Sequence, residues 1–275
     1  MDRYHRRGSA RSRKVSHAAE PYAQQLAPLT ADNPTFAAAW PVRAGDVDPD
    51  NRLRLDGVAR YLQDIAWENL QATFFKDTDP MWIVRRTVID VVSPIVWPDT
   101  VELHRWCSAM STRWTDMRVR MTSANGGLVE TMGFWINISA STGMPTRISD
   151  KALAYLSEST NEQRLRWRPW LTEPGPPESE SDKAFHLRAT DIDQYNHVNN
   201  AAYWHAVEEQ LVDLPKLVAV PHRATIEYIS PVLANEHVMV RGRFDDTEIP
   251  TLKLWFVVDG EVRTAVRVHQ LDPSE

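Results

Sequence analysis

Apolar residues recur at helical spacing in two places: Val58, Leu62, Ile65 and Ala66, then Tyr203, Val207 and Leu211. A stripe of that period predicts an amphipathic helix at each place. Both follow a polar turn whose side chains can accept the first free backbone N–H groups, with Asp56 and either Asn199 or Asn200 as expected N-caps. Strand patterns come next. M-R-V-R-M at 117–121 alternates apolar and charged residues, meets Asn125-Gly126, and returns through L-V-E-T-M-G-F-W-I-N-I at 128–138, which predicts a hairpin. T-L-K-L-W-F-V-V-D-G-E-V-R-T-A-V-R-V at 251–268 repeats that design around Asp259-Gly260. One helix followed by antiparallel strands, twice over, predicts an α+β chain in which each sheet curls around its helix.

The repetition extends to residue identities. R-A-G-D-V-D-P-D-N-R-L-R-L-D-G-V at 43–58 lies over R-A-T-D-I-D-Q-Y-N-H-V-N-N-A-A-Y at 188–203. R-T-V-I-D-V-V-S-P-I-V at 86–96 lies over R-A-T-I-E-Y-I-S-P-V-L at 223–233. Two matched segments and two glycine turns in the same order define an internal duplication. Between the copies, L-T-E-P-G-P-P-E-S-E-S-D at 171–182 is rich in proline, acid and serine, a composition that neither packs nor holds regular structure. The expected organisation is a disordered basic tail at 1–33, a first unit at 34–170, a linker at 171–183 and a second unit at 184–275.

Composition narrows the function. A net charge of −6 and pI near 5.9 leave no general basic face for nucleic acid. Charged residues interrupt every apolar run before it reaches membrane-spanning length. The lone Cys107 excludes an internal disulfide and a cysteine-based zinc cluster, as expected of a cytoplasmic chain, and in its strand it reads as a small buried hydrophobe. Arginine outnumbers lysine 25 to 6, a bias of GC-rich coding that points to a bacterial source; a plant source would place the protein in a plastid. Asp46, Asp48 and Asp50 imitate a calcium loop, but Asn51 and Gly57 stand where that loop needs Gly and Glu. His197 and His205 have no third ligand for zinc, so neither a metal nor an organic cofactor is expected.

The two copies diverge at one point. Asp48 and Asp193 correspond, but His197 replaces Arg52, and Asn199 and Asn200 replace Arg54 and Leu55. Asp193 and His197, four residues apart, could place carboxylate beside imidazole, and the helix start behind them could offer N–H groups to a developing oxyanion. Such a set suits water attack on an acyl group. A turn closed by an Asp and a helix capped by an Asn would account for the same residues with no chemistry.

The stretch D-I-D-Q-Y-N-H-V-N-N-A-A-Y-W at 191–204, with Glu209 beyond it, resembles the signature of plant-type acyl-acyl carrier protein thioesterases and their bacterial relatives. W-P-D-T-V-E-L at 97–103, I-S-A-S-T-G-M-P-T-R-I at 138–148 and I-E-Y at 226–228 extend the likeness over about residues 34–270. It implies a double hotdog, two fused sheet-on-helix units, and hydrolysis of fatty acyl thioesters carried by acyl carrier protein or CoA, in a monomer or homodimer. It places the catalytic set at Asp193, Tyr195, Asn196 and His197, and substrate contacts at Asn199, Asn200, Tyr203, Glu209, Leu62 and Trp67. Two family positions depart: Tyr195 stands where the motif has Asn, and Ser230-Pro231-Val232 where it has Glu or Cys. Those departures leave a non-hydrolysing acyl-thioester-binding protein as the alternative. Arg113, Arg118 and Arg120 are the expected contacts for an acidic carrier protein.

Overall fold

The computed structural model describes residues 24–160, 162–179, 182–219 and 221–271. The first copy runs β1 (Phe36–Pro41), a 3-10 turn at Ala44–Asp46, α1 (Leu55–Ala72), α2 (Phe75–Thr78), β2 (Trp82–Ser93), β3 (Thr100–Met110), β4 (Trp114–Ser123), β5 (Leu128–Asn137) and α3 (Asp150–Ser157). The second runs β6 (Lys183–Phe185), a 3-10 turn at Ala189–Asp191, α4 (Tyr203–Leu211), α5 (Pro215–Val218), β7 (His222–Tyr228), β8 (Val238–Asp245), β9 (Thr251–Val258) and β10 (Glu261–Gln270). Apart from the short α2, α3 and α5, the two lists match element by element.

All strands join one antiparallel sheet in the order β1-β3-β4-β5-β2-β7-β10-β9-β8-β6. Reading outward from the β2–β7 seam gives the same succession of elements in both directions, so the sheet has an internal pseudo-twofold. The chain is α+β, with two sheet-on-helix units fused edge to edge. Alternation along each strand sends one side chain in two toward the helices, where Ile89, Leu103, Val119, Ala224, Ile226 and Val266 meet Val58, Ile65, Tyr203 and Val207 in a single core. Both glycine turns form where expected. Gly126 and the pair Asp259 and Gly260 take positive φ, a region nearly free of cost only for glycine.

The seam carries two buried ion pairs on the face away from the helices. Arg86 lies opposite Glu227 and donates to Oε1 through Nε at 2.7 Å and Nη2 at 2.5 Å. Asp90 lies opposite Arg223 and accepts from Nε and Nη2 at 2.6 Å each. These strands lack solvent on their outer face because residues from both expected non-packing segments cover it. Glu227 accepts from the backbone N–H groups of Trp170 and Leu171, and the Trp170 ring sits 3.9 Å from the Arg86 guanidinium. The described residues of the linker segment have no regular structure before Lys183, yet Glu173 pairs with Lys253 at 2.6 Å and its carbonyl accepts from Trp255 Nε1 at 3.1 Å. Gln24 and Ala27 accept from Arg223 and Arg118. Composition did not anticipate this docking because it depends on particular contacts: backbone groups of Gln24, Ala27, Trp170 and Leu171, the Trp170 ring and the Glu173 carboxylate. The rest of the expected basic tail, residues 1–23, lies outside the described residues.

Asp116, on the same outer face, has a carboxyl oxygen with no hydrogen-bond partner. Burial raises its pKa to about 7, against the pull of Arg86 and Arg118. A folded pKa above the unfolded one makes its carboxylate increasingly costly as pH climbs from about 4 to about 7. Asp116→Asn should therefore match the parent near the bottom of that window and melt a few degrees higher, about 2–5 °C, at pH 8. Thermal denaturation across that range checks it; a uniform loss at every pH would show that its attraction to the arginines dominates.

Candidate active site

The polar stretch at 191–204 folds as a tight turn at 193–197 and a second turn at 200–202 that leads into α4. Asp193 N donates to His197 O at 2.8 Å, Asn196 N to Asp193 O at 3.0 Å, and Asp193 Oδ1 accepts from Tyr195 N at 2.9 Å and His197 N at 3.1 Å. Asn196 takes φ 61°, the left-handed conformation that Asn tolerates better than most residues. The first copy builds the same turn: Asp48 Oδ1 accepts from Asp50 N and Arg52 N, and Asn51 takes φ 63°. The Asp and Asn shared by the two copies are thus what this backbone requires.

The carboxylates differ in their second oxygen. Asp48 Oδ2 receives Arg52 Nε at 2.9 Å. Asp193 Oδ2 has no hydrogen-bond partner among the described residues, because the residue in the Arg52 position is His197 and its ring does not turn toward the carboxylate. The expected carboxylate–imidazole contact is not formed: Asp193 binds the His197 backbone N–H instead.

Asp193 borders a cavity of about 530 Å³ that reaches into the first copy. Its walls include Trp67, Leu70, Phe75, Trp82, Trp106, Met117, Trp135 and Leu156, and its polar rim includes Tyr195, Asn199 and Asn200. Trp67, expected as a substrate contact, lies on this lining with Trp82, Trp106 and Trp135. Trp67 is 60% exposed at this boundary, as is Tyr195 at 56%. Leu62 borders a smaller neighbouring cavity of about 40 Å³ together with Gln63, Arg105, Asn200 and Trp204.

The helix entry is fixed across the two copies. Asn199 Oδ1 accepts from Ala201 N at 2.8 Å, within the turn, and from Gln63 Nε2 of α1 at 2.9 Å; neither Asn199 nor Asn200 is the cap of α4, whose cap position is Ala202 with no side-chain bond. Asn199 N and Ala202 N are spent on Asp191 O and Asn199 O. Asn200 N–H has no acceptor among the described residues, while Tyr228 Oη donates to Asn200 O at 3.2 Å and fixes that peptide.

Four expected residues stand away from the cavity. His197 and Asn196 do not border it. Tyr203 is 2% exposed, packed edge-on between Tyr228 and Phe256, and burial pushes its phenol to about 12, so it is core. Glu209 is exposed; helical phase turns its neighbour Glu208 inward, where Oε1 accepts from Leu55 N of α1 at 2.6 Å. Glu208 therefore closes the start of α1 from the other copy. Asp56 is not the cap of α1: the cap position is Arg54, and Asp56 lies in the first turn, 1% exposed, against Arg54, Arg60 and His205. Burial would raise its carboxyl, but His205, Arg54 and Arg60 outweigh that and hold it well below the ordinary range.

Of the arginines expected to greet a carrier, Arg118 is 1% exposed and committed to Thr131 O and Glu130, and Arg120 pairs with Glu130 at 2.5 Å. Only Arg113 among the three is exposed. Cys107 borders the cavity, 2% exposed, and burial pushes its thiol up to about 12, which leaves it inert at neutral pH. Sequence reading missed Gln63, Asn69 and Arg105. Arg105 carried a signal: it interrupts the apolar alternation Val101, Leu103, Cys107 on the inward face of β3.

Two fused sheet-on-helix units with a cavity beside their helices define a double hotdog. A 12:0-ACP thioesterase from Umbellularia californica superposes with TM-score 0.67 at 16% identity, covering 86% of this chain and 93% of that one. An acyl-ACP thioesterase from Bacteroides thetaiotaomicron gives 0.66 at 16% identity, covering 86% and 97%. An uncharacterized protein of Mycobacterium tuberculosis is 43% identical over 236 residues, 86% of this chain and 92% of the relative. The acyl-ACP thioesterase N-terminal domain matches residues 33–156 and the C-terminal domain residues 175–268. The chain belongs to the acyl-ACP thioesterase family, a membership that supports acyl-thioester hydrolysis in general. No helix among the described residues is long and apolar enough to cross a membrane.

Proposed function

We propose that the chain hydrolyses fatty acyl thioesters of acyl carrier protein or CoA in the cytoplasm, with Asp193 as the general base and the first copy as the acyl container. The observation that carries this is the asymmetry between two otherwise equal turns. Asp48 has both oxygens engaged, whereas Asp193 keeps one free at the edge of an apolar-walled cavity. A water held by that oxygen would attack the thioester carbon as its proton passes to the carboxylate. The Asn200 N–H, oriented by Tyr228, supplies a donor for the carbonyl oxygen as charge develops there. Collapse of the tetrahedral intermediate breaks the carbon–sulfur bond; the departing sulfur takes the proton held by Asp193 and leaves as the free thiol, the fatty acid is released, and the carboxylate is regenerated. His197 has no place in this sequence because its ring neither borders the cavity nor meets Asp193. The missing Asn of the family motif matters less in this arrangement, since Tyr195 is held at the rim by its backbone N–H.

A panel of acyl-CoA and acyl-carrier-protein thioesters of varied length tests the reading, with release of free thiol as the readout. Turnover of none of them, alongside saturable binding, would favour the non-hydrolysing acyl-thioester-binding protein that Tyr195 and Ser230-Pro231-Val232 motivate. Within the panel, Leu62→Trp should shift the preferred chain length because it fills the small cavity beside the main one. The expected loss is about tenfold for the longest chains and near nothing for the shortest, of the order that lost apolar contacts provide. An unchanged length profile would remove this side of the first copy from the acyl path.

A further inference from the structure

Arg105 stands where the sheet pattern calls for an apolar residue. Val101, Leu103 and Cys107, its neighbours on the inward face of β3, are 0%, 0% and 2% exposed. Its side chain borders both the large and the small cavity. No carboxylate pairs with it among the described residues; its printed partner is neutral, the Oδ1 of Asn69 at 2.9 Å. Burial, uncompensated by a counter-charge, lowers its pKa to about 10, still far above neutrality. Asn69 is 8% exposed, borders the large cavity, and its Nδ2 has no hydrogen-bond partner. The cavity wall therefore holds a cation that no carboxylate pairs and an amide nitrogen with no acceptor among the described residues, although Asp193 and Glu158 also border the cavity.

A plain hydrocarbon segment is the wrong occupant for this polar patch of an otherwise apolar wall. Its methylenes would displace water from the guanidinium and leave buried donors unpaired, which costs binding energy. A planar carboxylate matches the guanidinium fork and leaves an oxygen for the Asn69 amide. We infer that Arg105 and Asn69 form a recognition site for a carboxylate carried on the acyl chain, so that this enzyme selects acyl thioesters bearing a second, distal carboxyl group over plain fatty acyl thioesters. This deepens the thioesterase reading and rests on it for the position of the chain, while the recognition itself does not depend on turnover.

The test compares octanoyl-CoA with the CoA monothioester of octanedioic acid, and repeats the comparison for chains two carbons shorter and longer. With the parent protein, kcat/KM should favour the carboxylated member of at least one pair by about tenfold or more, the scale of one charge-assisted hydrogen-bonded pair. Arg105→Met should bring that ratio to one or below, and Arg105→Lys, which keeps the charge but loses the fork, should leave part of it. Asn69→Leu should reduce the ratio less than Arg105→Met. Melting curves establish that each variant is folded, and Arg105→Lys carries the comparison if the methionine variant is not. Calorimetric dissociation constants for the same thioesters on Asp193→Asn form a second arm that needs no hydrolysis. Absent turnover with the carboxylate preference intact in binding would sink the hydrolase reading alone. Equal use of both members of every pair in both arms, or a preference that survives Arg105→Met, would overturn the recognition site.

Discussion

Asp193→Asn lowers hydrolysis of a good acyl thioester by more than about a hundredfold, the usual worth of one general base, with little change in melting temperature. The reasoning starts from the turn. Asp193 Oδ1 holds the N–H groups of Tyr195 and His197, and an asparagine side-chain oxygen accepts those same bonds. Oδ2 has no partner to lose among the described residues, so an amide there costs the fold little. What disappears is the group that would take a proton from water. Asp48→Asn is the matched control: it breaks the 2.9 Å contact with Arg52 and lies outside the cavity, so it should lower stability slightly and leave the rate within about twofold. His197→Ala should behave more like the Asp48 variant than like the Asp193 one. Comparable rate losses for Asp48→Asn and Asp193→Asn, or a melting loss that accounts for the inactivity of the latter, would make the stretch at 191–204 a helix-entry turn with no chemistry.

The duplication was legible because both copies must build the same backbone. Asp48 with Asn51 and Asp193 with Asn196 recur since a turn closed by a carboxylate, with a left-handed residue at its third step, needs those side chains. Helix stripes and glycine turns were legible for the same local reason. The functional asymmetry was legible only in part. Arg52 against His197 marked which copy differs, but the sequence could not show that the histidine ring would make no bond to the carboxylate and so leave an oxygen free. Arg105 shows the reverse case: a charge in an apolar alternation is visible in the string, yet it reads as a solvated edge until β1 is found paired outside it at Phe36↔Arg105. Tyr203 and Glu209 were misplaced by helical phase, since α4 starts at Tyr203, after the turn at 200–202, and so buries Tyr203 and turns Glu208 rather than Glu209 inward.

Glu227→Ala should destabilise the protein by about 3–5 kcal/mol, the cost of stranding one member of a buried ion pair. Glu227 accepts two N–H groups from Arg86 and one each from Trp170 and Leu171, so its loss leaves four donors in need of acceptors. Arg86 is 3% exposed and keeps only the Arg168 carbonyl and the tryptophan faces; burial already lowers its pKa despite Glu227. At about 2–4 °C per kcal/mol for chains of this size, the melting temperature should fall by roughly 10 °C. Replacing both members with apolar residues, Arg86→Met with Glu227→Met, removes the stranded charge and should recover most of that loss. The same seam bears on catalysis, because the bond from Gln63 to Asn199 and the cap from Glu208 to Leu55 require α1 and α4 to keep their relative position. Glu227→Ala should therefore make residues 165–171 more open to limited proteolysis well below its melting temperature and raise KM before it lowers kcat. A variant as stable as the parent, with Trp170 still protected from protease, would show that hydrophobic pairing of β2 with β7 holds the halves together and that the ion pairs add nothing to it.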